Sequence, residues 1–175
     1  IAKTKKLALQ VGHIERFNPA FTAAKPYIKE PEFIEAVRIG PYDPRMNHIG
    51  VVLDLMIHDL DVILTLVKSK IVSIEAYGKK VFSEYEDTAK ARLRFENGCI
   101  ADISISRVSF DKCRKMAVCQ NNVAVHIDYA GKTVNVYSSK NDGKQLKSMA
   151  DIETITPEIG TKEPLFYEDD HFLSC

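Results

Sequence analysis

The sequence is short of most features that mark specialised classes of protein. It carries no excess of either charge: lysine plus arginine and aspartate plus glutamate each number 24 among 175 residues. That balance gives no electrostatic case for nucleic acid or an anionic membrane as a partner. No apolar run approaches the ~20 residues that a membrane-spanning helix needs. The opening residues, IAKTKK, lack the apolar stretch and cleavage site of a secretory signal. Cysteine is sparse: Cys99, Cys113, Cys119 and Cys175 form no CxxC pair and match no zinc spacing. In a domain of this size they read as reduced thiols of a cytoplasmic protein rather than as two disulfides. There is no internal repeat and no low-complexity tract.

What is present is an ordinary globular composition, 45% apolar, in a chain long enough for one domain or one plus a fragment. Such a chain buries roughly 70% of the surface it exposes when unfolded. The segment from Leu7 to Phe17 is apolar and β-like and closes on Asn18-Pro19, a turn or helix-start signal. PAFTAAKPYIKE predicts a short helix broken at Pro26, and EFIEAVRI a strand stopped by Gly40-Pro41. PRMNH reads as a loop, with Asn47 as helix N-cap, and residues 50–68 as one long helix. Strands follow. IVSIEAYGKKV alternates, TAKARLRF and IADISIS form a hairpin about Glu96-Asn97-Gly98, and three more strands turn at Asn121-Asn122 and Ala130-Gly131. SKNDGKQ is a turn, and EPLFYEDDHFLSC starts a helix that stops on an apolar face, as if the native chain continued. A long helix followed by consecutive strands predicts an α+β fold with an open, largely antiparallel sheet.

The helix holds the chemistry. GVVLDLMIHDLD places Asp54, His58, Asp59 and Asp61 among Val, Leu, Met and Ile. At about 100° per residue, His58 lies about 40° and Asp61 about −20° from Asp54, with Asp59 about 140° away. Asp54, His58 and Asp61 thus form one narrow polar stripe on an otherwise apolar helix, which must face a cleft or a buried network. Three readings fit that spacing: a satisfied Asp54–His58 hydrogen bond, a general base oriented by a carboxylate, or two ligands of a metal lacking a third nearby.

Several phrases resemble the Gfo/Idh/MocA family of nicotinamide-dependent oxidoreductases, in order along the chain: VGHIERFNPAF, RIGPYDPRMNHIGVVLDLMIHDLDVI, RFENGCIADISISRVSFDKCRKMAVC and EPLFYEDDHFL. The wording GHIERFNPA and RIGP…DLMIHDLD is most similar to members acting on nucleotide-sugars, such as UDP-N-acetylglucosamine 3-dehydrogenases. The resemblance implies a two-domain enzyme that oxidises a sugar hydroxyl by hydride transfer to NAD or NADP. It implies the last strand of a truncated dinucleotide-binding domain over 1–18 and a substrate-binding and dimerisation domain over 19–175. His58 matches the family's general base and Asp54 the acid four residues before it. By the resemblance Arg16 and Asn18 would lie at the domain junction near the cofactor and substrate; read alone they equally fit a junction salt bridge and a turn residue. Asp61, on the stripe with His58, reads as a hydrogen-bond partner behind the substrate contacts rather than a direct participant in the chemistry.

The glycine-rich phosphate loop of a dinucleotide fold is absent from these residues, as is the family's lysine-bearing E-K-P segment. The expectation is therefore a piece lacking most of the cofactor domain and inactive alone. The substrate would be a sugar or nucleotide-sugar, and the oligomer a homodimer or larger, built through the sheet. A non-catalytic dimerisation or interaction module is the alternative, and a metal hydrolase the third reading. Arg38 and Arg45 flank the Gly-Pro break, where guanidinium forks suit a substrate diphosphate or are simply solvated. Arg107, Lys112, Arg114 and Lys115 read as a solvated strand edge rather than a substrate-facing loop, and Asp59 as structural or solvent-facing. His13 reads as structural and His48 as exposed or at the pocket mouth. His126 belongs on the sheet surface, and His171 has no evident partner.

Overall fold

The alternating segments build one eight-stranded sheet in the computed structural model of this chain, which describes residues 1–140 and 148–175. Its strands are β1 (Phe33–Ile39), β2 (Ile71–Lys79), β3 (Thr88–Phe95), β4 (Ile100–Ser106), β5 (Cys113–Gln120), β6 (Val123–Asp128), β7 (Thr133–Ser139) and β8 (Ile152–Ile155). They lie in the order β2-β3-β4-β1-β5-β6-β7-β8. Every neighbouring pair is antiparallel except β1 with β4. The expected open, largely antiparallel α+β architecture is what forms. The parallel insertion of β1 between β4 and β5 carries no signal in local periodicity, because pairing partners are chosen across long sequence separations. The predicted turn at SKNDGKQ falls mostly on 141–147, outside the described residues.

Side chains two apart point to one face of a strand. Ile34 and Ala36, Leu93 and Ala91, Ala101 and Ile103, Met116 and Val118, Val125 and Ile127, and Val134 and Val136 are all buried on one face. Helices cover that face: α2 (Pro19–Ala24) with Ala20, Phe21 and Ala24, and α3 (Ile57–Leu66) with Val62, Ile63 and Leu66. Each large aliphatic side chain buried this way contributes roughly 1.5–3 kcal/mol. The opposite face is polar, crossed by ion pairs such as Arg92–Asp102 and Lys115–Asp128. The β3–β4 hairpin turns at Gly98, whose φ of 89° suits glycine, and the β5–β6 turn at Asn122, φ 57°.

Two local expectations are corrected. Residues 7–13 form no strand, because a strand requires a partner's ladder and they pair with none of the eight strands among the described residues. Leu7, Leu9 and Val11 are left exposed. A short helix, α1 (Ala2–Lys5), precedes them, and a 3₁₀ turn, Ile14–Phe17, follows. A further helix, α4 (Pro164–Leu173), packs on that turn. There Phe17 meets the His171 ring at 5.2 Å and Gln10 Oε1 lies 3.0 Å from His171 Nδ1, a partner the sequence did not reveal. No helix among the described residues is long and apolar enough to cross a membrane.

The long helix is also not uniform. Val52–Met56 form a π-helical turn before α3 begins. Asn47 does not cap it; Asn47 closes a 3₁₀ turn, Pro44–Met46, that is itself capped by Asp43. The helix start is held from a distance, by Glu86. Its backbone carbonyl accepts from Val51 N at 3.0 Å and its carboxylate from Val52 N at 3.2 Å. Gly50 makes room for that carboxylate, since a Cβ on Gly50 would overlap Glu86 Oε1. Gly50→Ala should therefore destabilise the chain by about 1–3 kcal/mol in urea unfolding. Glu86→Ala in the same background should cost less than the sum of the two single changes; strict additivity would rule out this steric cause.

Candidate functional site

Arg38 lies at the centre of the sheet and is buried, 3% exposed. It sits on the parity of Ile34 and Ala36, so its side chain enters the core where an aliphatic residue would be expected. A lone charge there would be prohibitive, and the surrounding elements supply its partners. Asp59 of α3 binds it through two bonds, Nε to Oδ2 at 2.8 Å and Nη2 to Oδ1 at 3.0 Å. Glu15 of the Ile14–Phe17 turn accepts from Nη1 at 2.9 Å. The Tyr129 ring lies under the guanidinium, 5.9 Å from its centroid. Although burial opposes the charge, the Asp59 and Glu15 contacts outweigh it and raise the Arg38 pKa further above its already high value. Arg38 is thus a core cation joining β1, α3 and the N-terminal turn. Asp59 faces neither solvent nor substrate, but this arginine.

The polar stripe divides. The 100° arithmetic does not carry back across the π turn to Asp54, and Asp61 is engaged by residues of the N-terminal turn. Arg16 grips it through Nε at 2.6 Å and Nη2 at 2.5 Å, with His13 Nε2 3.7 Å away. Arg16 is half exposed; Asp61 is buried. Asn18 is buried and committed: it caps α2 by accepting from Ala20 N at 3.0 Å and donates to Glu15 at 2.9 Å. Arg45 is exposed and paired with Asp43 at 2.7 Å, a contact that holds the Asp43 carboxyl down at about 2. His48 and His126 are exposed, His126 on the outer sheet face.

His58 and Asp54 stay near each other electrostatically, but no hydrogen bond joins them among the described residues. His58 Nδ1 is buried without a partner, which leaves Nε2 as the nitrogen open to a ligand. Burial, then the Arg38 charge, push the His58 pKa down, against the opposing pull of Glu15, Asp59 and Asp54. The imidazole is therefore held neutral, the form that accepts a proton.

Asp54 opens onto a cavity of about 430 Å³, lined also by Tyr42, Arg38, Arg107, Lys112 and Arg114; His58 is not in the lining. Arg107 is no solvated edge. It is 3% exposed, continuing the inward parity of Ala101, Ile103 and Ile105, and it donates to Asp87 at 2.7 Å, Ser83 at 2.9 Å and the Met46 and Ile49 carbonyls at 2.8 Å. Burial alone would raise the Asp87 pKa, but N–H groups of Val81 and Phe82, with Arg107 and Ser83, hold it far below the usual carboxylate range. This pin fixes the loops that frame the cavity. The sequence signal for both buried arginines was their place in an apolar alternation. Glu15 and Asp87 carried no such signal. Among the described residues no group of three or more His, Cys, Asp or Glu is arranged to hold a metal ion, and the four thiols are free. Cys99 is buried, which raises its pKa to about 11.

Comparison with known proteins follows the same geometry. A family model, the GFO/IDH/MocA C-terminal domain, matches residues 40–140. The chain is 32% identical over 142 residues to UDP-N-acetylglucosamine 3-dehydrogenase of Acidithiobacillus ferrooxidans, covering 78% of this chain and 44% of that one. A solved structure of that dehydrogenase superposes with a TM-score of 0.88 at 28% identity, covering 99% of this chain and 55% of the other. Levoglucosan dehydrogenase, solved with NADH and L-sorbose, superposes with a TM-score of 0.77 over 97% of this chain and 56% of its own. At 14% identity that likeness speaks to fold alone. The chain thus spans about half the length of these relatives.

Two outcomes test the site's electrostatics. Asp59→Ala leaves a buried guanidinium without its two-pronged partner and should lower stability by about 3–5 kcal/mol in chemical denaturation; a loss under about 1 kcal/mol would contradict the buried pair. For His58 the folded pKa is depressed, so the unfolded chain takes up the proton first, near pH 6.5. The stability it confers is complete above that pH and declines as pH falls towards the folded value, by at most about 1.4 kcal/mol per unit. Urea midpoints between pH 7.5 and 5.5 should fall less in His58→Gln than in the parent chain; equal slopes would remove the depressed pKa.

Proposed function

This chain belongs to the GFO/IDH/MocA family, and we propose that it is the substrate-binding part of a nicotinamide-dependent oxidoreductase that converts a hydroxyl of a sugar or nucleotide-sugar to a carbonyl. The observation that carries the reading is a neutral, partly buried His58 one turn from Asp54, whose side chain lines a polar cavity. The named substrate of its relative, a UDP-sugar, supports the substrate class.

In this reading His58 Nε2 takes the hydroxyl proton while the adjacent carbon gives up hydride. Asp54 accepts a hydrogen bond from a sugar hydroxyl and stabilises the imidazolium that forms. Arg38 and Asp59 fix the rotation of α3 and with it the direction of His58, one turn after Asp54. Bound NAD or NADP supplies the hydride acceptor. The residues of this chain fit only its margin: Asn18 is committed as a helix cap, and Arg16, half exposed on Asp61, is the residue able to meet it. The cofactor would be held mainly by a dinucleotide-binding unit outside these residues. The outer sheet face, with exposed Tyr77 and His126, is the surface we assign to self-association.

In the protein joined to its cofactor domain, His58→Ala should lower kcat by about 10²–10⁴ and leave nicotinamide-cofactor affinity unchanged. Turnover equal to the parent's would sink the mechanism. The 175-residue chain alone should give no micromolar NADH binding in a fluorescence titration.

A further inference from the structure

Four cationic side chains line the cavity beside Asp54, and they differ in how far their charge is already used. Arg38 faces two carboxylates, Asp59 and Glu15. Arg107 is matched by Asp87 and occupied by two backbone carbonyls. Neither adds net positive charge to the space between them. Lys112 and Arg114 make no ion pair or side-chain hydrogen bond among the described residues, and both are exposed. Arg114 stands opposite Arg38 in the β1–β5 register, on the inner face of the sheet, where no helix covers it. The Lys112 stem passes over Gly40, its Cγ 3.9 Å from where a Cβ would stand. The cavity lining therefore holds two unused cations together with the Asp54 carboxylate and that of Asp43, which Arg45 already neutralises.

Such a cavity suits a ligand that is anionic at one end and rich in hydroxyl donors at the other. Its volume, about 430 Å³, falls within the roughly 300–1,000 Å³ of small-molecule sites. We propose that Lys112 and Arg114 bind the diphosphate of a nucleotide-sugar, with the sugar directed to Asp54. The assignment of the sugar end rests on the oxidoreductase reading; the anion site rests on the two free cations. A nicotinamide dinucleotide also carries a diphosphate. The substrate is the occupant here because none of residues 1–18, the segment nearest the expected cofactor, contributes to the lining. Arg38 and Arg45, the arginines singled out by sequence for this role, are each already paired with an acid.

The test is an amide-resolved NMR titration of the 175-residue chain with UDP, inorganic pyrophosphate and, separately, NADH. UDP and pyrophosphate should shift resonances around Gly40–Met46 and Lys112–Arg114. The variant Lys112→Gln/Arg114→Gln should weaken UDP binding at least tenfold, and Lys112→Arg/Arg114→Lys should restore most of it. Urea midpoints of both double variants should match the parent's, since the side chains are exposed. His58→Ala should keep UDP affinity within twofold, which separates failure of this site from failure of the catalytic reading. UDP affinity unchanged in the Gln double variant would overturn the proposal. So would shifts confined to other surfaces, no UDP binding at millimolar concentration, or NADH occupying the site in preference to UDP.

Discussion

The structure turns on one buried arginine. Arg38 occupies an inward-facing position of β1, the strand around which the two halves of the sheet join. A guanidinium there is tolerable only if carboxylates meet it with near-ideal geometry, because removing a charge from water costs several kcal/mol. Asp59 meets it from above and Glu15 from the side, and Glu15 is itself anchored by Asn18, which caps α2. A single chain of charge-assisted bonds thus runs from α3 through the sheet to the turn that leads into α2. It leaves α3 little freedom to rotate: a shift of one residue would replace Asp59 with Leu60 or His58 and strand the arginine. A hydrophobic core would tolerate such slippage far better, since dispersion contacts are not directional. The rotation that satisfies Arg38 is also the one that places Asp54 at the cavity and His58 beside the Arg38 charge.

Much of the sheet was legible because period-2 alternation reports a face directly. In TAKARLRF every second residue is buried, as the alternation requires, and the turns at Gly98 and Asn122 lie where local chemistry demanded positive φ. Three things were not legible. The π turn at Val52–Met56 leaves no mark in a run of apolar residues, yet it shifts every angular argument that crosses it. The parallel β1–β4 pairing depends on a crossover through α3 and the β2–β3 hairpin, which no window of sequence spans. Residues 7–13 have a strand's composition but no strand's hydrogen bonds, because composition describes the segment and pairing describes its neighbour.

The site shows a subtler limit. Ile34, Ala36 and Arg38 share one parity, as do Ala101, Ile103, Ile105 and Arg107, so alternation does announce that both arginines point inward. Reading charge before parity hides this and casts them as solvated groups or phosphate ligands. The rule that emerges is physical. A cation continuing an apolar alternation is to be matched with a buried acid elsewhere in the chain before it is offered to a ligand. Asp59, set aside by the helical wheel for being off the stripe, was that acid for Arg38.

After burial itself, the neighbour that organises the fold also bears on the chemistry of the histidine. A base oriented by a hydrogen bond from its other nitrogen to a carboxylate gains basicity, because the imidazolium is stabilised. His58 Nδ1 has no such partner, and burial with the Arg38 charge disfavours the proton. The result is a weaker base whose neutral form is favoured near neutral pH. Under the proposed reaction, that suits proton removal concerted with hydride departure, in which the alkoxide need never be free and the base need only match the hydroxyl as its bond polarises. Asp54, open to the cavity rather than bonded to the ring, would in that reaction oppose the Arg38 effect most when the imidazolium forms. Stabilisation that grows with the developing charge lowers the barrier, whereas an Asp54 locked to the resting histidine would stabilise the starting state as well.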